Sequence, residues 1–107
     1  MFLAVHGPVD APPVLLLHGG GVAGWMWDSL RDELRADHRV LVPDLPGHGA
    51  SAGAPYLSHD ATIDDLARLL ATHAPDRPSA VVGFSLGAQL AIRLASERPD
   101  WSQTRSS

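Results

Sequence analysis

The residue best placed to do chemistry in this 107-residue chain is Ser85, in the run Gly83-Phe84-Ser85-Leu86-Gly87. The run matches G-x-S-x-G. It follows the apolar stretch Ala80 to Val82 and precedes an apolar stripe at helical spacing, Leu90, Ala91, Leu94 and Ala95. A serine on a sharp strand-to-helix turn sits in strained backbone. Side chains two residues to either side would collide there, which gives the glycines at 83 and 87 a steric reason. Such a turn lifts the hydroxyl above the sheet, and the helix beyond it offers backbone N–H groups and a positive dipole end to a developing anion. That is the chemistry of nucleophilic attack on a carbonyl. The plainer alternative is a Gly-Ser turn joining an ordinary strand and helix.

Two further clusters stand at corresponding places. His18-Gly19-Gly20-Gly21 follows the apolar stretch Val14 to Leu17, and Asp44-Leu45-Pro46-Gly47-His48-Gly49 follows Val40 to Val42. A glycine loop lets backbone amides approach a ligand oxygen, as half of an oxyanion hole does. The same glycines also admit a different reading. Gly19, Gly21 and Gly24 satisfy G-x-G-x-x-G, and Asp44 lies about 20 residues further on, as the ribose-binding acid of a dinucleotide site does. Against it, Trp25 to Trp27 would fill the first helical turn, Pro43 stiffens the strand end, and Gly83 to Gly87 would be left without a role.

The elements that must position these clusters alternate. Trp27, Leu30 and Leu34 recur at helical spacing within Trp25 to Ala36. A second stripe, Ile63, Leu66, Ala67 and Leu70, follows Thr62, which reads as an N-cap with Asp65 three residues on. Continuously apolar strands alternating with helices predict a mostly parallel sheet covered on both faces, an α/β fold of three layers. Phe2 to His6 reads as an extra edge strand, and Gly47 to Pro55 as a surface loop.

Composition narrows the chemistry. The chain has no cysteine, which removes disulfides, thiolate nucleophiles and cysteine zinc sites and fits a reducing, cytoplasmic setting. It also has no lysine, which removes a Walker lysine, a Ser-Lys dyad and a Schiff base. The net charge is −4 and the arginines are scattered, so nucleic acid is not an expected partner. No apolar run approaches the roughly 18 residues of a membrane span. No histidine pair has metal-ligand spacing, so neither a metal nor another cofactor is expected. His6, His38, His59 and His73 sit beside turns or helix ends and read as solvated or capping residues. Trp25 and Trp27 flank the glycine loop, where they read as helix-core packing or as walls of an acyl pocket.

From Val14 to Pro99 the chain resembles the α/β-hydrolase family, in the order glycine loop, Asp-Leu-Pro-Gly-His-Gly loop, then G-x-S-x-G turn. The resemblance implies the N-terminal part of that fold, a partial three-layer α/β/α sandwich, and a serine hydrolase acting on carboxylic esters or related acyl bonds of small molecules. It implies that Ser85 is the nucleophile and that the N–H groups of Gly20 and Leu86 hold the oxyanion, with Gly21 the substitute for Gly20. It gives His18 and the Asp44 to Gly49 loop structural roles.

The chain departs from the family at the other catalytic residues. There the acid and the histidine follow the serine in chain order. Here all six histidines, His6, His18, His38, His48, His59 and His73, precede Ser85, and only Glu97 and Asp100 are acidic beyond it. The triad is therefore incomplete within this chain. Residues 1–100 read as a partial hydrolase domain and 101–107 as a polar, disordered tail, as a shifted frame or early stop would leave. That division predicts Ala80 to Val82 as an open sheet edge, able to pair with another copy, so an inactive remnant or an interaction module is the alternative function.

Overall fold

Apolar runs without polar alternation become the inner strands. The computed structural model describes residues 1–99 in full and the backbone course of residues 102–106. Five strands, β1 (Phe2–His6), β2 (Pro13–Leu17), β3 (Arg39–Asp44), β4 (Ser79–Gly83) and β5 (Ser102–Ser106), form one sheet in the order β1-β3-β2-β4-β5. β1 runs antiparallel to β3, pairing Phe2 with Asp44 and His6 with Val40. Every other pairing is parallel, with Val14 opposite both Val40 and Ala80.

Three α-helices cover the two faces: α1 (Asp28–Leu34), α2 (His59–His73) and α3 (Leu86–Glu97). Alternation along the strands divides the core between them. Leu15, Leu17, Leu41 and Val81 point to one face, where Ile63, Leu66 and Leu70 of α2 and Leu90 and Leu94 of α3 close over them. Val14, Leu16, Val40 and Val42 point to the other face, where Leu30 and Leu34 of α1, with Trp27, pack against them. Full burial of each leucine contributes about 1.5–3 kcal/mol. The faces are unequally covered. Ala80 and Val82 lie on the α1 side of β4 and stay half-buried.

Three expectations are corrected. The stripe from Trp25 to Ala36 is two elements, a 3-10 turn at Gly24–Trp27 and then α1. The second helix begins earlier than Thr62: Ser58 is its N-cap and accepts from the Ala61 N–H. Thr62, four residues inside, is buried and donates its hydroxyl to the Ser58 carbonyl. The apolar stripe marked the face of the helix, but its first turn is polar and so lay outside the periodic signal. The third correction concerns the stretch expected to be a tail. It contains β5, which pairs with β4 along its whole length, so β4 is an inner strand and, among the described residues, β5 is the outermost. A ladder of backbone hydrogen bonds needs no apolar side chains, and at a sheet edge a polar strand is ordinary. Asp100, Trp101 and Ser107, which the sequence reading assigned to the domain end and the tail, lie outside the described residues.

Candidate active site

Ser85 stands between β4 and α3 with φ 57° and ψ −112°, the one non-glycine residue at positive φ among those described. A side chain rarely tolerates that backbone, and a compact turn explains why it is held here. A Cβ added to Gly83 would lie 2.2 Å from the Gly87 carbonyl oxygen, and one added to Gly87 would lie 2.1 Å from the Leu17 oxygen. Both glycines thus let backbone pass where a methyl group has no room, as the spacing predicts.

The same closeness brings the Ser85 turn against the glycine loop. The Phe84 N–H donates to the Leu17 carbonyl at 3.1 Å, and the Phe84 ring lies 3.0 Å from where a Cβ on Gly19 would sit. Leu86 opens α3, so its N–H is among the first four helical donors, which no carbonyl within the helix can satisfy. Gly20 and Gly21 are exposed at the surface of the loop, and Ser85 is exposed beside Phe84.

His18 is fully buried, with both ring nitrogens in use. Nε2 accepts from the Leu45 N–H at 2.9 Å, which places the proton on Nδ1, and Nδ1 donates to the Gly19 carbonyl at 2.7 Å. Burial holds its pKa below the ordinary histidine value, so the ring is neutral. The His48 ring lies against it, with centroids 5.0 Å apart and planes tilted by 58°, and with Nδ1 toward the Pro46 carbonyl. His18 is therefore a fixed part of the frame and has no free nitrogen to offer Ser85.

The remaining histidines lie at turns and helix ends. His59 Nδ1 meets the Tyr56 hydroxyl at 3.1 Å and its Nε2 meets the Gln89 side-chain oxygen at 3.1 Å, while His38 pairs with Asp37. His73 closes α2, and its carbonyl accepts from Arg39. His6 has its pKa lowered by burial and by Arg31 and Arg35. Glu97 ends α3 in an ion pair with Arg93, which also pairs with Asp60 on α2. The described residues contain no group of three or more His, Asp or Glu that could hold a metal. No helix among them is long and apolar enough to cross a membrane.

The two tryptophans part company. Trp27 packs on the α1 face of the sheet, and its Nε1 has no hydrogen-bond partner. Trp25 is 64% exposed and lines a cavity of about 240 Å³ with Phe2, Ala4, His6, Ala23 and Val42. Ser85 does not line that cavity.

The dinucleotide reading fails at Asp44. Its Oδ1 accepts from the Gly24 N–H at 2.7 Å and its Oδ2 from the Ala50 N–H at 2.9 Å, so the carboxylate faces inward and is used by the chain itself. The spacing that suggested a ribose ligand is instead the spacing of a loop tie. Sequence reasoning saw the interval between Gly24 and Asp44 but not that partner.

Comparison with known proteins agrees. Residues 14–104 match the profile described as the alpha/beta hydrolase family. The pimeloyl-[acyl-carrier protein] methyl ester esterase of Chromobacterium violaceum is 42% identical over 100 residues, which is 94% of this chain and 37% of that protein. The magnesium-chelatase 30 kDa subunit of Rhodobacter capsulatus is 40% identical over 95 residues, 87% of this chain and 33% of its own length. Among solved structures, a thermophilic esterase from Thermogutta terrifontis superposes with a TM-score of 0.84 at 32% identity, over 97% of this chain and 40% of the esterase. The chain thus spans between 33% and 40% of the length of these relatives.

Proposed function

Because this chain belongs to the alpha/beta hydrolase family, we propose that it carries the nucleophile and oxyanion donors of a serine hydrolase acting on carboxylic esters or related acyl bonds of small molecules. Ser85 attacks the carbonyl carbon, and the N–H groups of Gly20 and Leu86 receive the charge that develops on its oxygen. Gly21 takes the place of Gly20 if the ligand oxygen sits one residue further along the loop. The observation that carries this reading is the strained Ser85 turn, seated against the glycine loop by Gly83 and Gly87. The name of the Chromobacterium violaceum relative supports an ester as the substrate class.

The base that takes the Ser85 proton lies outside this chain on the same reading, since no histidine follows Ser85 and the buried His18 is fully bonded. Removing triad members from well-studied proteases leaves about 10³ to 10⁴-fold over water, from the oxyanion hole and binding. The test is hydrolysis of a short p-nitrophenyl ester by the full chain beside its Ser85→Ala variant. The oxyanion donors should leave their share of turnover in both proteins, and the part lost in the variant is the part owed to attack by Ser85. Turnover no faster than in buffer for both proteins would overturn the hydrolase reading, and equal rates above it would overturn Ser85 as the nucleophile.

A second reading rests on the sheet. Among the described residues β5 is the last strand of the sheet, and Ala80 and Val82 are half-buried beside it, so a strand from another copy of the chain could be added there. Sedimentation across a range of concentrations tests this. A monomer throughout would exclude it.

A further inference from the structure

The glycine loop leaves β2 at His18 and rejoins the fold at Gly24, and each end is tied to the start of the Asp44 to Gly49 segment. At the first end the His18 ring bridges the Gly19 carbonyl and the Leu45 N–H. At the far end the Gly24 N–H donates to Asp44 Oδ1. Between the ties Gly19 lies against Phe84 and the buried Ala23 against Gly49, but a Cβ on Gly20 or Gly21 would find no atom within 4 Å. The placement of those two glycines depends on the residues that flank them.

The carboxylate at the far end sits in a built cradle. A Cβ on Gly24 would lie 2.8 Å from Val42 and 3.0 Å from Asp44 Oδ1, and one on Gly49 would lie 2.5 Å from Asp44 Oδ2. Glycine at both positions lets the backbone close on the two oxygens. Ser51 completes the cradle from the main chain, donating its hydroxyl to the Asp44 carbonyl at 2.7 Å and accepting from the Phe2 N–H at 2.8 Å.

We propose that Asp44 is a positioning residue for the oxyanion loop, holding the Gly20 N–H in place through its bond to Gly24. The inference rests on reading Gly20 as an oxyanion donor. A charge-assisted bond from a buried carboxylate is a stronger tie than a neutral one, which suits two glycines with no neighbour of their own to hold them. A donor that wanders by an ångström loses most of its value, because oxyanion stabilisation depends on preorganised geometry.

The test uses ¹⁵N-labelled full-length chain and three variants. Asp44→Ala removes both carboxylate bonds. Asp44→Asn keeps one acceptor oxygen, and Ser51→Ala removes the main-chain bonds of the cradle while leaving the carboxylate untouched. Backbone order parameters of Gly20 and Gly21 are expected to drop from about 0.85 to below about 0.6 in Asp44→Ala, with Leu16 and Val81 unchanged. Asp44→Asn should restore part of the order, and Ser51→Ala should match the parent chain. Ser85-dependent ester turnover should fall in kcat by about 10² to 10³-fold in Asp44→Ala with KM retained, the usual cost of one oxyanion donor. If Asp44→Ala does not fold, Asp44→Asn carries the same reading at smaller amplitude. Unchanged order at Gly20 and Gly21, or a uniform loss across the sheet, would overturn the proposal. Failure of the hydrolase reading shows separately, as turnover by the parent chain no faster than in buffer, and the relaxation result then still decides the role of Asp44 in the loop.

Discussion

Gly87→Ala is the most informative single substitution, because two effects oppose each other and the structure says which wins. In a helix interior alanine is favoured over glycine by up to about 1 kcal/mol. At this site, however, the new Cβ would stand 2.1 Å from the Leu17 carbonyl oxygen and 2.7 Å from that of His18. Ordinary carbon–oxygen contact is about 3.3 Å, so α3 must move by about 1 Å. Leu17 and His18 are fully buried and cannot yield, and α3 carries the buried Leu90, Ala91 and Leu94 with it. Overpacking of this kind costs about 1–3 kcal/mol, and with backbone on both sides the upper end applies. The net expectation is a loss of about 2 kcal/mol, read in urea denaturation as a midpoint lower by about 1–2 M with unchanged slope. Gly20→Ala is the matched control: no atom lies within 4 Å of the added methyl, so the midpoint should hold. A Gly87→Ala midpoint within about 0.2 M of the parent chain, or an equal loss in Gly20→Ala, would refute the reasoning.

Ser58→Ala removes the acceptor at the start of α2 and should cost about 1 kcal/mol, roughly 4–8 °C in Tm by circular dichroism; an unchanged Tm would return the cap to Thr62. Leu90→Ala, at a fully buried position, should lose about 2–5 kcal/mol, and a loss under about 1 kcal/mol in urea denaturation would mean that α3 is not packed on the sheet as described. Burial lowers the folded pKa of His18, so below its ordinary value of 6.5 the unfolded chain binds the extra proton first. Stability should therefore fall as pH drops through 6.5 and level off once the folded value is passed, by at most about 1.4 kcal/mol per pH unit from this group. The slope should flatten in His18→Asn, and an identical pH dependence in that variant would assign the effect elsewhere.

The elements that were legible in the sequence are those whose signal is periodic or contiguous. Val14 to Leu17 reads as a strand buried on both faces and is one; Ala80 to Val82 reads the same way, yet Ala80 and Val82 are only half-buried, and Leu90 to Ala95 shows the stripe of a helix packed on one side. The Ser85 turn was legible because the backbone conformation itself demands glycine at 83 and 87. What escaped was held by backbone groups. β5 forms through ladder hydrogen bonds that its polar side chains do not advertise, and the start of α2 is fixed by one hydroxyl on Ser58. Asp44 was visible as a residue and at the right interval, yet the direction of its carboxylate is decided by Gly24 and Ala50. A glycine loop near an acid has the same pattern whether the acid faces a ribose or the loop itself.

On the proposed function, the reactivity of Ser85 turns on where its proton can go. His18 has no free nitrogen, His59 is engaged by Tyr56 and Gln89, and Glu97 lies twelve positions along α3, about 18 Å away at 1.5 Å per residue. A hydroxyl with no base beside it attacks slowly, because the proton must leave as the bond forms. A base supplied from solution should then restore part of the rate. With imidazole added, the Ser85-dependent part of p-nitrophenyl ester hydrolysis should rise linearly with the free-base concentration. Imidazole attacks such esters by itself, so the quantity that matters is the difference in slope between the parent chain and Ser85→Ala. A tethered base is worth an effective molarity of up to about 10⁵–10⁸ M, so about 0.1 M imidazole can recover only a small fraction of full activity, and a difference of a few-fold is the realistic size. Equal slopes would mean that the turn and the glycine loop do not activate Ser85 even when a base is present. A high Ser85-dependent rate without imidazole would mean that one of the six histidines reaches the hydroxyl in an arrangement other than the one described above.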